Sequence, residues 1–438
     1  MWEVIPVNKK NAYRAVPVKD VDLKKVLAGH EGEPVVVGLD VGKEWIYAVT
    51  RFGDGAFHRP WVVANPGQIR LLVGLLEKIG QQGSLTVALE STGTYADALR
   101  QSMSDAELNV HRVGSKASHD WSETFDGVPS QHDGKDAAVV ADLCGLGKSV
   151  PWPMKKPAEW EQQLGYWVRQ MDAAHRMEQM WIGRLESRLT RYWPEAGQTL
   201  KLSSATLLKA IDHWGSPAAL GADPQAAATL RRFGRWVLKE QVIQRLVHEA
   251  RQSVGVRMEA WDLRELRECA RRTLVFHREK AAAVRELRRL AETHELLPAL
   301  APVVGLPTAC VLWACLGDPR NYTSGPAYRK GMGLNLTERS SGKYKGQLRI
   351  SKRGKSLPRR FLYFAALRYV MKEPVRNWYQ QKKKRDGDEG MRGIVAVMRK
   401  LPLAVYAAAQ GAAFDANRLF QSIARDAERR DAEKGAKK

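Results

Sequence analysis

At 438 residues, 44% of them apolar, the chain is long enough for two or three packed domains and too rich in core-forming residues to be disordered. Its 70 Lys and Arg against 48 acids leave a formal charge of +22, which favours a polyanionic partner, nucleic acid first, with a membrane-surface or ribosome-associated protein as the other basic classes. Four cysteines without a CxxC pair argue against structural zinc and a disulfide framework, and no apolar run approaches the roughly eighteen residues of a membrane span. A cytoplasmic, nucleoid-associated protein without a membrane partner is the expectation.

Residues before about Glu33 are weakly patterned and read as an arm. Three strands follow, Val35–Asp40, Glu44–Thr50 and Ala56–Ala64, separated by tight turns. Asn65-Pro66 reads as a helix cap with proline at the first helical position, ahead of Ile69, Leu72, Leu76 and Ile79 at helical spacing. Ser84–Glu90 is another apolar strand ending on an acid, a short helix runs to Met103, and Leu108–Val113 is a last strand. Three antiparallel strands, a helix and then alternating strands and helices is the order of the ribonuclease H-like fold. In that fold Asp40 and Glu90 end neighbouring strands, where open α/β sheets place their ligands. A helix beginning near Asp133 puts Asp133 and Asp136, three residues apart, on one face.

Proline between Pro151 and Pro157 marks a boundary. Two long helical segments follow, one with Leu164, Val168, Met171, Ala174, Met177, Trp181, Leu185 and Leu189 in three- and four-residue steps. The second carries Leu263, Leu266, Ala270, Leu274, His277, Ala281, Val284 and Leu287 in the same way. Such narrow seams predict an antiparallel coiled coil or a dimer contact. Near Leu300 a third region opens with Val304-Gly305-Leu306-Pro307, either a phosphate-binding helical hairpin or a plain one. From Ala327 to Arg360 there are eleven Lys or Arg and one acid, Glu338, so this Gly- and Ser-rich stretch is the most nucleic-acid-like part of the chain. The predicted division is 1–150, 151–299, 300–424 and a charged tail, 425–438.

Asp40, Glu90, Asp133 and Asp136 form a four-carboxylate set suited to hard divalent cations; two magnesium ions about 4 Å apart can stabilise both the attacking and the leaving oxygen of a phosphodiester. Each acid alone has an ordinary reading as a turn or cap residue. In the basic stretch, Ser340-Ser341-Gly342 lies between Arg339 and Lys343. A serine hydroxyl there could attack phosphorus while the cations neutralise the phosphorane, or the segment could be only a flexible turn. Lys345, Lys352, Arg353 and Lys355 are expected to contact nucleic-acid phosphate.

Three strings carry a resemblance: Gly38-Leu39-Asp40-Val41-Gly42-Lys43, Ala88-Leu89-Glu90-Ser91-Thr92-Gly93-Thr94-Tyr95 and Asp133-Gly134-Lys135-Asp136-Ala137. With Gly333-Leu334, Ser340-Ser341-Gly342 and Ile350-Ser351-Lys352-Arg353-Gly354, they resemble the DEDD-class insertion-sequence transposases related to the Piv and MooV invertases. The resemblance implies a RuvC-like domain, a coiled coil and a mostly helical transposase domain. It also implies magnesium on Asp40, Glu90, Asp133 and Asp136, a nucleophilic serine at Ser341 or Ser340, donor and target DNA, a bridge RNA as guide, and a homo-dimer or tetramer. Ser130-Gln131-His132 stands where that family usually has Lys-Thr, and the middle region is longer than in many members. The competing readings are a RuvC-like nuclease that hydrolyses with water, an actin-like ATPase and a catalytically silent RNA-binding protein.

Overall fold

β-Branched residues suit a sheet buried on both faces, and Val35-Val36-Val37 begins its central strand. The computed structural model describes residues 14–91, 93–127, 132–154, 156–338, 346 and 348–421, and the chain divides into two units, Met1–Lys156 and Pro157–Lys438.

The first unit runs β1 (Val16–Pro17), α1 (Leu23–Leu27), β2 (Val35–Val41), β3 (Trp45–Arg51), β4 (Trp61–Ala64), α2 (Ile69–Gly80), β5 (Leu85–Glu90), α3 (Asp97–Asp105), β6 (Val110–Val113), α4 (Ser115–Ser122), α5 (Asp133–Gly145) and β7 (Ser149–Pro151). The sheet order is β1-β4-β3-β2-β5-β6-β7, with β2, β3 and β4 antiparallel and β5 and β6 parallel to β2. This is the ribonuclease H-like arrangement. Residues 14–33 are no arm: β1 pairs with β4, and Val18, Val26 and Leu27 are buried in the sheet's main core. The third strand is also shorter than expected, Trp61–Ala64, with an isolated bridge from Phe57 to Arg51 before it.

Strand periodicity decides which residues can form a site. Along β2, Val35, Val37, Leu39 and Val41 enter the core shared with Leu72, Leu76 and Ile79 of α2, leaving Val36, Gly38 and Asp40 for the opposite face. There α5 packs through Ala137, Ala138, Val139 and Val140 onto Val49, Ala88 and Val113.

The second unit is helical: α6 (Glu159–Tyr192), α7 (Ala196–Thr199), α8 (Ala205–Trp214), α9 (Pro217–Ala222), α10 (Ala226–Gly234), α11 (Glu240–Arg251), α12 (Ala260–Glu292), α13 (Leu297–Val304), α14 (Leu306–Leu316) and α15 (Gly325–Gly331). A two-stranded ribbon, β8 (Leu336–Thr337) and β9 (Arg349–Ile350), precedes α16 (Ser356–Tyr369), α17 (Val375–Arg385), α18 (Gly390–Ala409) and α19 (Ala416–Leu419). α6 and α12 pack antiparallel, as Trp160 Nε1 donating to Leu290 O and Tyr192 Oη donating to Asp262 show at the two ends. Of the predicted seam, Leu164, Val168, Met171, Ala174, Leu185 and Leu189 are buried on α6, whereas Met177 is exposed.

Where Met177 leaves the seam, a carboxylate enters it. Glu178 is 1% exposed and accepts hydrogen bonds from Lys280 and from His277 Nδ1, the latter at 2.8 Å, with His175 at 3.9 Å. Burial alone would raise this carboxyl, but hydrogen bonds from His175, Lys280 and His277 outweigh it and hold it at about 2. The ion-paired form therefore stabilises the fold above the ordinary glutamate range and loses that contribution as pH falls through about 2. Because Lys280 and His277 are both partly solvated, Glu178→Gln should cost only about 1–3 kcal/mol at neutral pH. Thermal melts of the variant and wild type should converge near pH 2; an unchanged melt at pH 7 would show the pair to be energetically idle.

α13 and α14 meet at 118°. Tyr369 Oη donates to the carbonyls of Pro302 and Val303 and Arg368 to that of Val304, and Val303, Val304, Cys310, Val311 and Leu312 are buried, so this turn is a packed corner of the core. No single helix among the described residues is long and apolar enough to cross a membrane.

Candidate active site

Asp40 leaves β2 on the α5 face, and β5 runs parallel beside it with Leu39 opposite Leu89, so Asp40 and Glu90 end adjacent strands. On the other side Asp40 pairs with Tyr47 of β3. The first turn of α5 supplies Asp133 and Asp136, acids placed where the helix dipole favours negative charge.

α5 reaches the sheet because Gly38 has no side chain: a Cβ there would lie 2.2 Å from Ala137 O and 2.5 Å from Ala141 N. Three further contacts lock the helix. Asp142 accepts from Arg51 Nε at 3.0 Å and from Trp121 Nε1 at 2.9 Å, and buried Lys135 donates to Asp126 at 2.7 Å. Asn65, read from sequence as a helix cap, instead donates to Gly42 O at 2.9 Å and lies 3.5 Å from Tyr95 O, tying together the turns that follow Asp40 and Glu90.

The result is a convergence of Asp40, Asp133 and Asp136, one carboxylate oxygen of each lying within 4.8 Å of the others. Glu90 stands close enough that its charge is felt by Asp40 and Asp136. Burial, followed by the charges of Asp136, Asp133 and Glu90, pushes Asp40 up to about 6. Asp136 is raised by burial, then by Asp133 and Glu90. Lys135 and His132 offset this mutual repulsion at Asp136 only in part, and a group of oxygen donors with Asp133 open to solvent fits a divalent cation. Tyr47, half-buried and raised by burial and by Asp133 and Asp40, belongs to the same cluster. Sequence reasoning passed over it, although alternation along β3 was the available signal.

In the second unit, Ser340, Ser341, Arg339, Lys343 and Lys345 lie outside the described residues. The residues on either side of them are described. β8 and β9 pair with each other, Ser351 N donates to Asn335 O at 2.8 Å and Lys352 N to Gly333 O at 3.0 Å. Arg359 Nη1 sits 2.9–3.3 Å from the carbonyls of Met332, Lys352, Gly354 and Lys355. Gly333 and Gly354 cross so closely that a Cβ on Gly354 would lie 2.4 Å from Gly331 O, which explains both glycines of the quoted strings. Lys352, Arg353 and Lys355 are exposed.

Two family models match the chain. One, for DEDD transposases of the IS110 type and described as transposase, covers residues 37–194, from β2 through α6. The other, described as transposase of the IS116/IS110/IS902 family, covers residues 300–381, which include the ribbon and α16. The insertion element IS110 uncharacterized 43.6 kDa protein of Streptomyces coelicolor is 22% identical over 408 residues, 88% of this chain and 96% of that protein. The first match begins within the strand that delivers Asp40 and contains all four acids, and the second contains Ser340, Ser341 and the β8–β9 ribbon. Matched in both halves and along nearly the whole length of that relative, the chain belongs to the IS110 family of insertion-sequence transposases, whose activity is DNA cleavage and strand transfer in transposition.

Proposed function

We propose that this transposase cuts and rejoins DNA through a serine nucleophile, Ser341 or its neighbour Ser340, acting with the carboxylates of the first unit. The observation that carries the reading is the convergence of Asp40, Asp133 and Asp136, with Glu90 beside them, at the carboxyl ends of the central strands of a ribonuclease H-like sheet. A divalent cation, magnesium in this reading, would be held by Asp40, Asp133 and Asp136 with Glu90 in support, and would supply charge neutralisation at the scissile phosphate. The serine Oγ attacks phosphorus, its proton leaves, the P–O3′ bond breaks and a phosphoserine ester forms beside a free 3′-hydroxyl. A 3′-hydroxyl from another strand then attacks the phosphoserine, releasing the serine and joining donor to target. Arg339 and Lys343 offset the charge on the phosphorane, while Lys345, Lys352, Arg353 and Lys355 hold flanking phosphates.

In the same reading a bridge RNA guides target choice and the protein works as a homo-dimer or tetramer in the cytoplasm at the nucleoid. α6 and α12 form a coiled coil within a helical region, 151–299, followed by a transposase region, 300–424. The antiparallel pairing of two helices of 34 and 33 residues supports the coiled-coil part.

The test is a denaturing gel of protein incubated with magnesium, its co-purifying RNA and element-end DNA. Wild type should give a covalent protein–DNA adduct that one of Ser341→Ala and Ser340→Ala abolishes and that Asp40→Ala also abolishes. Cleavage without adduct, indifferent to both serines, would replace this mechanism with hydrolysis by water.

A further inference from the structure

The helices α7 to α11 have a hydrophobic core of their own, built on Leu207, Leu208, Ile211, Leu230, Ile243 and Leu246 together with the adjoining ends of α6 and α12. Between α10 and α11 the chain makes a short turn, Arg235–Val237, in which two apolar residues point away from that core: Trp236 is 92% exposed and Val237 68%. Their neighbours do the reverse, since Phe233 and Leu238 pack against the core on either side. Arg235, directly before the indole, holds φ +53, a region that a long side chain adopts only when the surrounding fold imposes it. The tryptophan is thus held outward by anchors on both flanks and by a fixed backbone.

The charge around it is one-sided. Arg231 is taken up by the bidentate pair with Glu240, at 2.6 and 2.8 Å. Arg232, Arg235 and Lys239 are exposed and form no salt bridge with any acid among the described residues. Arg232 lies over the Phe233 ring at 5.9 Å, which leaves its charge unneutralised. A bare indole with three cations that no described acid neutralises matches a nucleotide: the ring offers a face to a base and the cations meet the phosphates on either side. A protein partner with an apolar socket would leave those cations unmatched. In a closed duplex both faces of each base are already stacked, so the ligand that fits is an unpaired base. Strand exchange must expose such bases.

We infer that Trp236 is a stacking finger for an unpaired base of DNA, with Arg232, Arg235 and Lys239 on the flanking phosphates. The inference rests on the assignment of DNA as this transposase's substrate, but it requires neither the serine chemistry nor the metal.

The test is fluorescence anisotropy of the full chain in EDTA with labelled single-stranded DNA, the same sequence as duplex, and the same sequence as single-stranded RNA. Trp236→Ala should weaken single-stranded DNA binding at least about fivefold, the lower end for loss of one stacked base, and leave duplex binding within twofold. Trp236→Phe should restore most of the loss, and Trp236→Ala should not lower the melting temperature, since the ring is exposed. Replacing Arg232, Arg235 and Lys239 together by Ala should reduce the salt slope of binding. Unchanged binding of single-stranded DNA, an equal loss on duplex, a loss confined to RNA, or a change of oligomeric state with DNA binding intact would each overturn the assignment. Working in EDTA separates this outcome from failure of the serine mechanism, which the covalent adduct reads.

Discussion

Asp40→Asn should abolish strand transfer and, in the same protein, raise the melting temperature of the metal-free form at neutral pH. The two effects have one cause. Asp40 carries a carboxyl raised from 3.8 to about 6 by burial and by the charges of Asp136, Asp133 and Glu90, so its ionised form is disfavoured in the folded chain. The proton-bound form favours folding: that contribution is complete below the unfolded value near 3.8 and is lost as pH rises through about 6. Neutral pH lies above this transition, where the contribution has been lost. The difference in pKa corresponds to about 3 kcal/mol, which residual solvent access reduces to about 1–2 kcal/mol.

Asparagine removes the charge and keeps the shape. In EDTA at pH 7.5 the variant should therefore melt above wild type, and the two should converge near pH 4. Adding magnesium should raise the melting temperature of wild type more than that of the variant, because a cation relieves the same repulsion. Activity should fall by at least about 10³-fold, equivalent to about 4 kcal/mol of lost transition-state stabilisation. A variant that melts below wild type at pH 7.5 would mean that Asp40 is held by favourable hydrogen bonds, and the carboxylate cluster would lose its claim to be a cation site.

Much of this cluster could be read from the sequence because its determinants are local. β-Branched runs ending in acids give β2 and β5, and a three-residue spacing gives the shared face of Asp133 and Asp136. What binds the site together is long-range. Arg51 meets Asp142 across 91 positions, and Asn65 reaches Gly42 and Tyr95, so its cap-like sequence context pointed to the wrong role. Alternation along β3 puts Tyr47 on the face that α5 covers, but its place opposite Asp40 is set by register, which depends on the length of the intervening turn. The same holds for Glu178: a charged residue inside a seam is legible as buried only when His277 and Lys280, about a hundred positions away, are known to face it. In the N-terminal segment, hydrophobic residues too sparse to show a period, Val18, Val26 and Leu27, are nevertheless buried because β1 is held by β4.

Gly38→Ala should cost activity far out of proportion to its size. The added methyl carbon would sit 2.2 Å from Ala137 O, 2.5 Å from Ala141 N and 2.8 Å from Ala141 Cβ, and two of these three atoms are backbone, which no rotamer change can move aside. Either β2 or α5 must shift. α5 is held at Asp142 by Arg51 and Trp121 and at Lys135 by Asp126, so it moves as a unit and carries Asp133 and Asp136 with it. Overpacking of this kind costs about 1–3 kcal/mol in stability, which a domain of this size can survive. A displacement approaching 1 Å of catalytic groups, however, costs about 10²-fold in rate. The folded Gly38→Ala protein should therefore show strand transfer lowered by about 10²-fold and a smaller thermal shift on adding magnesium. Gly74→Ala is the control: it lies within α2, nothing stands within 4 Å of its Cβ position, and it should leave activity unchanged while adding up to about 1 kcal/mol of stability. Full activity in Gly38→Ala would show that the close approach of α5 to β2 serves packing alone and that the acids tolerate displacement.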